Sequence, residues 1–257
     1  MRNYFQKFII SEDAVVFWGD TVKVMSTLQP ESVDVIFADP PYFLSNGGIS
    51  VKSGKVVSVD KGEWDKIGSY EEMHKFNFAW IRLCKEILKE DGTIWISGTH
   101  HNIYSIGTIL KELGFHVLNQ VIWVKTDPPP NISKRMFTYS YENIIWAKKN
   151  KSVPHTFHYE LMKKMNKGKQ MTDVWHIPHV PMEEKTFGYH PTQKPLQLVE
   201  RIVVASSSKH SLILDPFCGS GTTGVAALKY GRRFIGIDNN LDYVKISFRR
   251  INHLFPE

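Results

Sequence analysis

Apolar residues in this chain fall into short runs separated by longer amphipathic stretches, the rhythm of a parallel α/β fold. Residues 14–18, 33–38, 93–97, 212–215 and 234–237 are compact apolar segments and are predicted to be buried strands. Residues 116–124 and 142–147 add two more strands, joined by a loop containing Pro128, Pro129 and Pro130. Helices are predicted over 22–28, 70–88, 102–113, 196–205 and from Val225 to Leu228. In the second of these Trp80, Leu83, Ile87 and Leu88 share one side. Asp91-Gly92 and Gly231 read as stop signals.

Two stretches follow neither period. Residues 43–68 are polar, contain glycine and carry Lys52 and Lys55, so they are expected to form a long mobile loop near whatever site the strand ends build. From 148 to 189, lysines (Lys163, Lys164, Lys167 and Lys169 among them) are interleaved with His155, Phe157, Tyr159 and Trp175. By composition alone this is a solvated surface insertion.

Composition narrows the classes without choosing among them. The 257 residues with 42% hydrophobic content suffice for one α/β core. A net charge of +6 and a pI of about 9.1 favour a polyanionic partner. Cys84 and Cys218 are the only cysteines; they make neither a metal spacing nor a disulfide scaffold and point to a reducing compartment. His100-His101 has no further ligands at useful spacing, so no metal is expected. No apolar run is long enough to span a membrane and Met1-Arg2-Asn3-Tyr4 does not open a signal peptide, so a cytoplasmic protein with no membrane partner is expected.

The chemistry concentrates in two places. Asp39-Pro40-Pro41-Tyr42 directly follows the strand 33–38. Its prolines remove two N–H donors, leaving a turn rich in acceptors. A carboxylate and nearby carbonyls can accept both hydrogens of an exocyclic amine, and the tyrosine offers a face on which a planar heterocycle can stack. The similar Asp127-Pro128-Pro129-Pro130 lacks the aromatic and reads as a rigid exit loop. The second place is the strand 212–215 running into Pro216-Phe217-Cys218-Gly219-Ser220-Gly221-Thr222-Thr223, then a helix, a strand and Asp238. Glycines there admit close backbone approach, and an acid at the next strand end can accept ribose hydroxyls.

Residues 219–224 also satisfy G-x-G-x-x-G, the weak signature of a dinucleotide site. Asp215 ahead of the glycines is out of place beside a pyrophosphate but suits a cationic amino-acid group such as the methionine part of S-adenosylmethionine. An NAD-linked oxidoreductase is therefore a distant alternative, and a non-catalytic DNA-binding module a third class.

Together with His190-Pro191-Thr192-Gln193-Lys194-Pro195, these two motifs resemble the signatures of DNA amino-methyltransferases of restriction-modification systems, in the β-group order that places the catalytic motif before the cofactor motif. The resemblance runs from about residue 20 to 238 and looks nearest to adenine-N6 enzymes, including those acting on GATC; cytosine-N4 is the alternative, in whose members Ser often replaces the first Asp. It implies one Rossmann-like S-adenosylmethionine-dependent domain over 1–257, circularly permuted. Its sheet would be mixed and mostly parallel, with seven strands, one of them antiparallel. Asp39, Pro40, Pro41 and Tyr42 would be catalytic. Asp20, Lys194, Asp215, Phe217, Gly219, Ser220, Gly221, Thr222, Thr223 and Asp238 would hold the cofactor, with Asp20 equally suited to cap the helix after it. Residues 127–189 would be the target-recognition insertion, with Lys52, Lys55, Lys134, Arg135, Lys163, Lys164, Lys167 and Lys169 on DNA. The expected partners are duplex or single-stranded DNA and, functionally, a restriction endonuclease; a homodimer is left open.

Overall fold

The computed structural model describes residues 5–43, 49–52, 55–58, 69–126, 128, 130–131 and 134–256. Strands form where β-branched and aromatic residues cluster: β1 (Gln6–Ser11), β2 (Ala14–Trp18), β3 (Val33–Ala38), β4 (Ile49–Lys52), β5 (Lys55–Ser58), β6 (Leu88–Gly98), β7 (His116–Val124), β8 (Tyr141–Lys148), β9 (Val174–His176), β10 (Leu212–Asp215) and β11 (Arg233–Asp238). The helices are α1 (Thr21–Met25), α2 (Tyr70–Ile87), α3 (Ile103–Glu112), α4 (Tyr159–Met165), α5 (Leu196–Ser206), α6 (Thr222–Lys229) and α7 (Leu241–Leu254). Local chemistry sets their starts. Ser69 caps α2 by accepting the Glu72 N–H, with Glu71 and Glu72 in the first turn, and Asn240 caps α7 by accepting from Asp242 and Tyr243.

Among the described residues nine strands make one sheet in the order β1-β2-β11-β10-β3-β6-β8-β7-β9. The stretch from β2 to β7 is the expected seven strands, and β8 is its one antiparallel member. Two strands go beyond that expectation: β1, antiparallel on β2, and β9, parallel on β7. β4 and β5 form a separate antiparallel pair within 43–68, so part of that segment is a strand pair rather than a loop; 44–48, 53–54 and 59–68 lie outside the described residues. Asp127 and Pro129 of the expected exit loop lie outside them too.

Period-2 alternation splits the core into two layers. Val35 and Phe37 of β3, Trp95 of β6, and Ile144 and Trp146 of β8 face α5, α6 and α7. Ile36 and Ala38, Ile94 and Ile96, and Ile145 and Ala147 face α1, α2 and α3. The first layer also takes in Trp175 and Ile177, so the segment 148–189 is partly core and carries α4 and β9. α1 ends at Met25, short of the expected residue 28, because Pro30 lies just ahead and Leu28 N–H turns back to Met25.

Because Ile36 is fully buried between these layers, Ile36→Ala should cost about 2–5 kcal/mol and Ile36→Val about 0.5–1.5 kcal/mol, read from urea unfolding midpoints.

Candidate active site

β3 and β10 pair in parallel, Val35 beside Ile213 and Ile36 beside Leu214, so their carboxyl ends deliver Asp39 and Asp215 to the same edge of the sheet. There a cleft with about 300 Å³ of empty space, part of it open to solvent, is lined by Phe37, Asp39, Lys194, Asp215, Phe217 and Gly219 among others.

The turn after β10 is held from all sides. The Asp215 carboxylate accepts the Phe217 N–H at 3.0 Å and the Thr223 hydroxyl at 2.5 Å. The Asp238 carboxylate accepts the N–H groups of Gly219 at 2.9 Å and Asn240 at 2.8 Å. Gly219 and Gly221 have φ of 49° and 78°, the left-handed region that favours glycine. Space forbids a side chain as well: a Cβ on Gly221 would collide with Ser247 Oγ, and one on Gly219 would lie 2.9 Å from His190 Nε2. Arg250 of α7 donates to Thr222 Oγ1 at 2.9 Å and reaches Glu184 at 3.5 Å, tying α7 and the turn at 182–185 to the start of α6.

Beside this turn lies a buried network of charge. Lys194 Nζ is 2.5 Å from Asp39 Oδ2 and 3.5 Å from Glu142 Oε2, and Lys125 Nζ is 2.6 Å from Glu142 Oε1. The Tyr42 hydroxyl sits 2.7 Å from Asp39 Oδ1, 2.9 Å from Glu142 Oε2 and 2.9 Å from Ser97 Oγ; the Ser97 hydroxyl also donates to Asp39 Oδ1. Two carboxylates therefore face two ammonium groups, which satisfies the rule that buried charge is paired. Burial raises the Glu142 carboxyl, but Lys194 and Lys125 outweigh it and hold it at about 2. Burial, with Asp39 and Glu142 beside it, lifts the Tyr42 phenol well above its ordinary value. Asp215 and Asp238 go the other way from Glu142: burial, with no cation beside them among the described residues, raises them to about 7 and about 6.

The structure brings most of the expected residues together and relocates several. Phe217 packs edge-on against Trp80 at 5.2 Å, and Ser220, Thr222 and Thr223 are buried in the turn. Asp20 lies at the end of β2 and caps α1 through the Lys23 N–H. Tyr42, expected to present an open face, is buried with its hydroxyl engaged and Lys194 Nζ 5.2 Å from its ring centroid. Lys194, expected on a cofactor carboxylate, is engaged by Asp39 and Glu142, because two buried carboxylates demand a cation.

The lysines expected on DNA divide. Lys134 and Arg135 are exposed in the segment joining β7 to β8, at the same sheet edge as Asp39; there Tyr139 stacks on His100 at 4.5 Å, and Met136 and Phe137 are exposed. Lys52 and Lys55 occupy facing positions on β4 and β5. Lys163, Lys164, Lys167 and Lys169 belong to or follow α4, whose Met162 packs on Val204 and Ala205 near the end of α5 and whose capping residue His158 donates its N–H to Ala205. That is where the chain enters β10, at the opposite edge from Asp39, so these four do not flank that cleft.

Sequence reasoning missed Ser97, Lys125, Glu142, Glu184 and Arg250. Glu142 had a readable signal: a lone acid opening the apolar run 142–147 of an internal strand needs a buried cation. The described residues hold no cluster able to bind a metal, and no described helix is long and apolar enough to cross a membrane.

A family model for DNA methylases matches residues 33–249. The chain is 58% identical over 238 residues to the type II methyltransferase M2.DpnII of Streptococcus pneumoniae, covering 92% of this chain and 89% of the relative. It is 51% identical over 241 residues to the type II methyltransferase M2.MboI of Moraxella bovis, covering 94% and 88%. The crystal structure of the M1.HpyAVI–SAM complex superposes with a TM-score of 0.68 at 26% identity, covering 92% of this chain and 98% of that one. The cytosine-N4-specific PvuII DNA methyltransferase gives a TM-score of 0.75 at 18% identity, covering 95% and 89%, a likeness of fold.

A carboxyl whose pKa is higher folded than unfolded binds its proton more tightly in the native state, so stability falls as pH rises through that interval. With Asp215 moving from an ordinary 3.8 to about 7, the fold should lose stability from about pH 4 to about pH 7 and level off above. Asp215→Asn should flatten that slope in thermal unfolding measured across the window.

Proposed function

The chain belongs to the DNA methylase family, and on that premise we propose that it methylates the exocyclic N6 amine of adenine within a specific DNA sequence. It is an S-adenosylmethionine-dependent enzyme of a restriction-modification type, and DNA is its substrate. The observation that carries the amine reading is the Asp39 carboxylate at the strand end next to the glycine turn, in a cleft whose described lining offers one thiol, that of the buried Cys218; Asp rather than Ser at this first motif position favours N6 over cytosine N4.

The residues fit the methyl donor. Gly219 and Gly221, left-handed and packed against His190 and Ser247, fold the chain into a tight turn whose Gly219 and Ser220 line the cleft, where the donor can lie against it. Asp215, raised by burial, is suited to the ammonium of the donor's amino-acid part, and Asp238 at the end of β11 to its ribose hydroxyls. When bound, S-adenosylmethionine supplies an electrophilic methyl on a sulfonium sulfur.

The protein's share is to prepare the amine. In adenine the N6 lone pair is delocalised into the ring, so the amine is a poor nucleophile. Asp39 and the carbonyl beside Pro40 can accept its two hydrogens, draw them from the ring plane and return electron density to nitrogen. Asp39, already accepting a hydrogen of that amine, is placed to take the proton that the methylated nitrogen sheds. Holding the amine in line is a large part of the rate. The base reaches Asp39 only by leaving the stack, at a cost of a few kcal/mol. Stacking on Tyr42, once Lys194 withdraws from its ring, would return about 1–3 kcal/mol.

For DNA, the edge that carries Asp39 supports a footprint through Lys134, Arg135 and the His100–Tyr139 stack. The resemblance to GATC-acting enzymes makes that tetranucleotide the first target to test, and protection from a partner endonuclease the expected biological role.

Asp39→Ala should abolish methyl transfer to unmethylated plasmid while calorimetry still shows S-adenosylmethionine binding; incorporation near the wild-type level removes the amine-acceptor mechanism. Converting Lys134 and Arg135 to Gln should weaken DNA binding and lower the salt slope by about 0.9 log units for each phosphate no longer neutralised. Neutralising Lys163, Lys164, Lys167 and Lys169 together should leave that slope unchanged, since they lie at the far edge.

A further inference from the structure

The Tyr42 hydroxyl has one hydrogen and two carboxylates within reach, Asp39 Oδ1 at 2.7 Å and Glu142 Oε2 at 2.9 Å. Lys194 is in the same position, 2.5 Å from Asp39 and 3.5 Å from Glu142. In this arrangement both oxygens of Asp39 are occupied, Oδ1 by Tyr42 and Ser97 and Oδ2 by Lys194. A carboxylate in that state has little left to offer an incoming amine. The same two donors, however, have a second acceptor waiting for them, buried and anchored from behind by Lys125 at 2.6 Å.

We propose that Glu142 is a positioning residue for methyl transfer, the acceptor to which Tyr42 and Lys194 pass when the target amine takes their place on Asp39. No proton changes owner in this exchange; two donors turn from one carboxylate to the other and the amine hydrogens fill the vacated sites. The network stays neutral throughout, with two carboxylates and the ammonium groups of Lys194 and Lys125. That neutrality lets the exchange occur in a buried site without stranding a charge. Lys125 acts one step further out, keeping Glu142 ionised and so able to accept.

This inference rests on the assignment of Asp39 to the amine, and the experiment separates the two. Steady-state kinetics with S-adenosylmethionine and unmethylated plasmid would compare wild type, Asp39→Ala, Glu142→Gln and Lys125→Met. For Glu142→Gln, kcat should fall about 10- to 150-fold, the equivalent of one charge-assisted hydrogen bond, with cofactor affinity and KM for DNA within about twofold. A kcat for Glu142→Gln near wild type, alongside an inactive Asp39→Ala, overturns the inference and leaves the amine assignment standing. An active Asp39→Ala overturns both. Loss of cofactor affinity in parallel with kcat in Glu142→Gln marks a structural role and also overturns it.

The pH profile gives an independent arm that survives if Glu142→Gln does not fold. The groups facing Glu142 are Lys194, Lys125, Tyr42 and, through these, Asp39. Lys125→Met removes one of the cations that hold Glu142 at about 2, so Glu142 should take up its proton at higher pH and the acid limb of kcat should move up from its wild-type position. An acid limb unmoved from wild type contradicts the proposal.

Discussion

A buried ion pair between Lys194 and Asp39 is the interaction on which the site depends. Neither partner tolerates burial alone: an unpaired ammonium or carboxylate in this environment would neutralise or leave. The pair therefore demands that the turn after β3 and the turn before α5 meet, although they are far apart in the chain. Glu142 from the start of β8 and Lys125 from the end of β7 complete the balance of charge, so four chain segments converge on one electrostatic requirement. The pKa directions record the division of labour. Glu142, surrounded by cations, is held down, whereas Asp215 on the neighbouring turn is pushed up by burial.

The sheet makes this convergence inexpensive. With β3 and β10 side by side and parallel, the turns bearing Asp39 and Asp215 leave the same edge whichever comes first in the sequence. The chain order is thus free to be permuted while the chemistry stays fixed, because the site is defined by strand ends and not by succession. Arg250 serves the second turn as Lys194 serves the first, reaching from α7 to the start of α6.

Strand and helix periods made the central strands and the helices α1, α2, α3, α5 and α6 legible, but the edges were not. β1 buries only Ile10 fully, so no alternation betrays it, and β9 has three residues, too few to show a period. α7 was readable in principle from the Asn240 cap and the apolar positions Val244 and Ile251. Within the site, Asp39, Asp215, Gly219 and Gly221 were legible because special backbone or special charge is encoded locally. Glu142 and Lys125 were not, because a buried charge pair is known only once both partners have been brought together. The lysines near α4 misled for the same reason: a basic run shows that a surface is solvated, and the fold alone decides which surface.

Amine methylation asks of a protein something different from methylation of a ring carbon. Activating a carbon requires a nucleophile poised to form a covalent bond, and both thiols here are buried, with Cys218 raised well above its ordinary value by burial and by Asp238 and Asp215. The acceptor network around Asp39 instead suits a nitrogen that carries hydrogens. Mass spectrometry of nucleosides from unmethylated plasmid treated with the purified protein and S-adenosylmethionine tests this directly. N6-methyladenine is expected as the sole new nucleoside. N4-methylcytosine would keep the amine chemistry but overturn the choice of base, and 5-methylcytosine would contradict the amine-acceptor role of Asp39 itself.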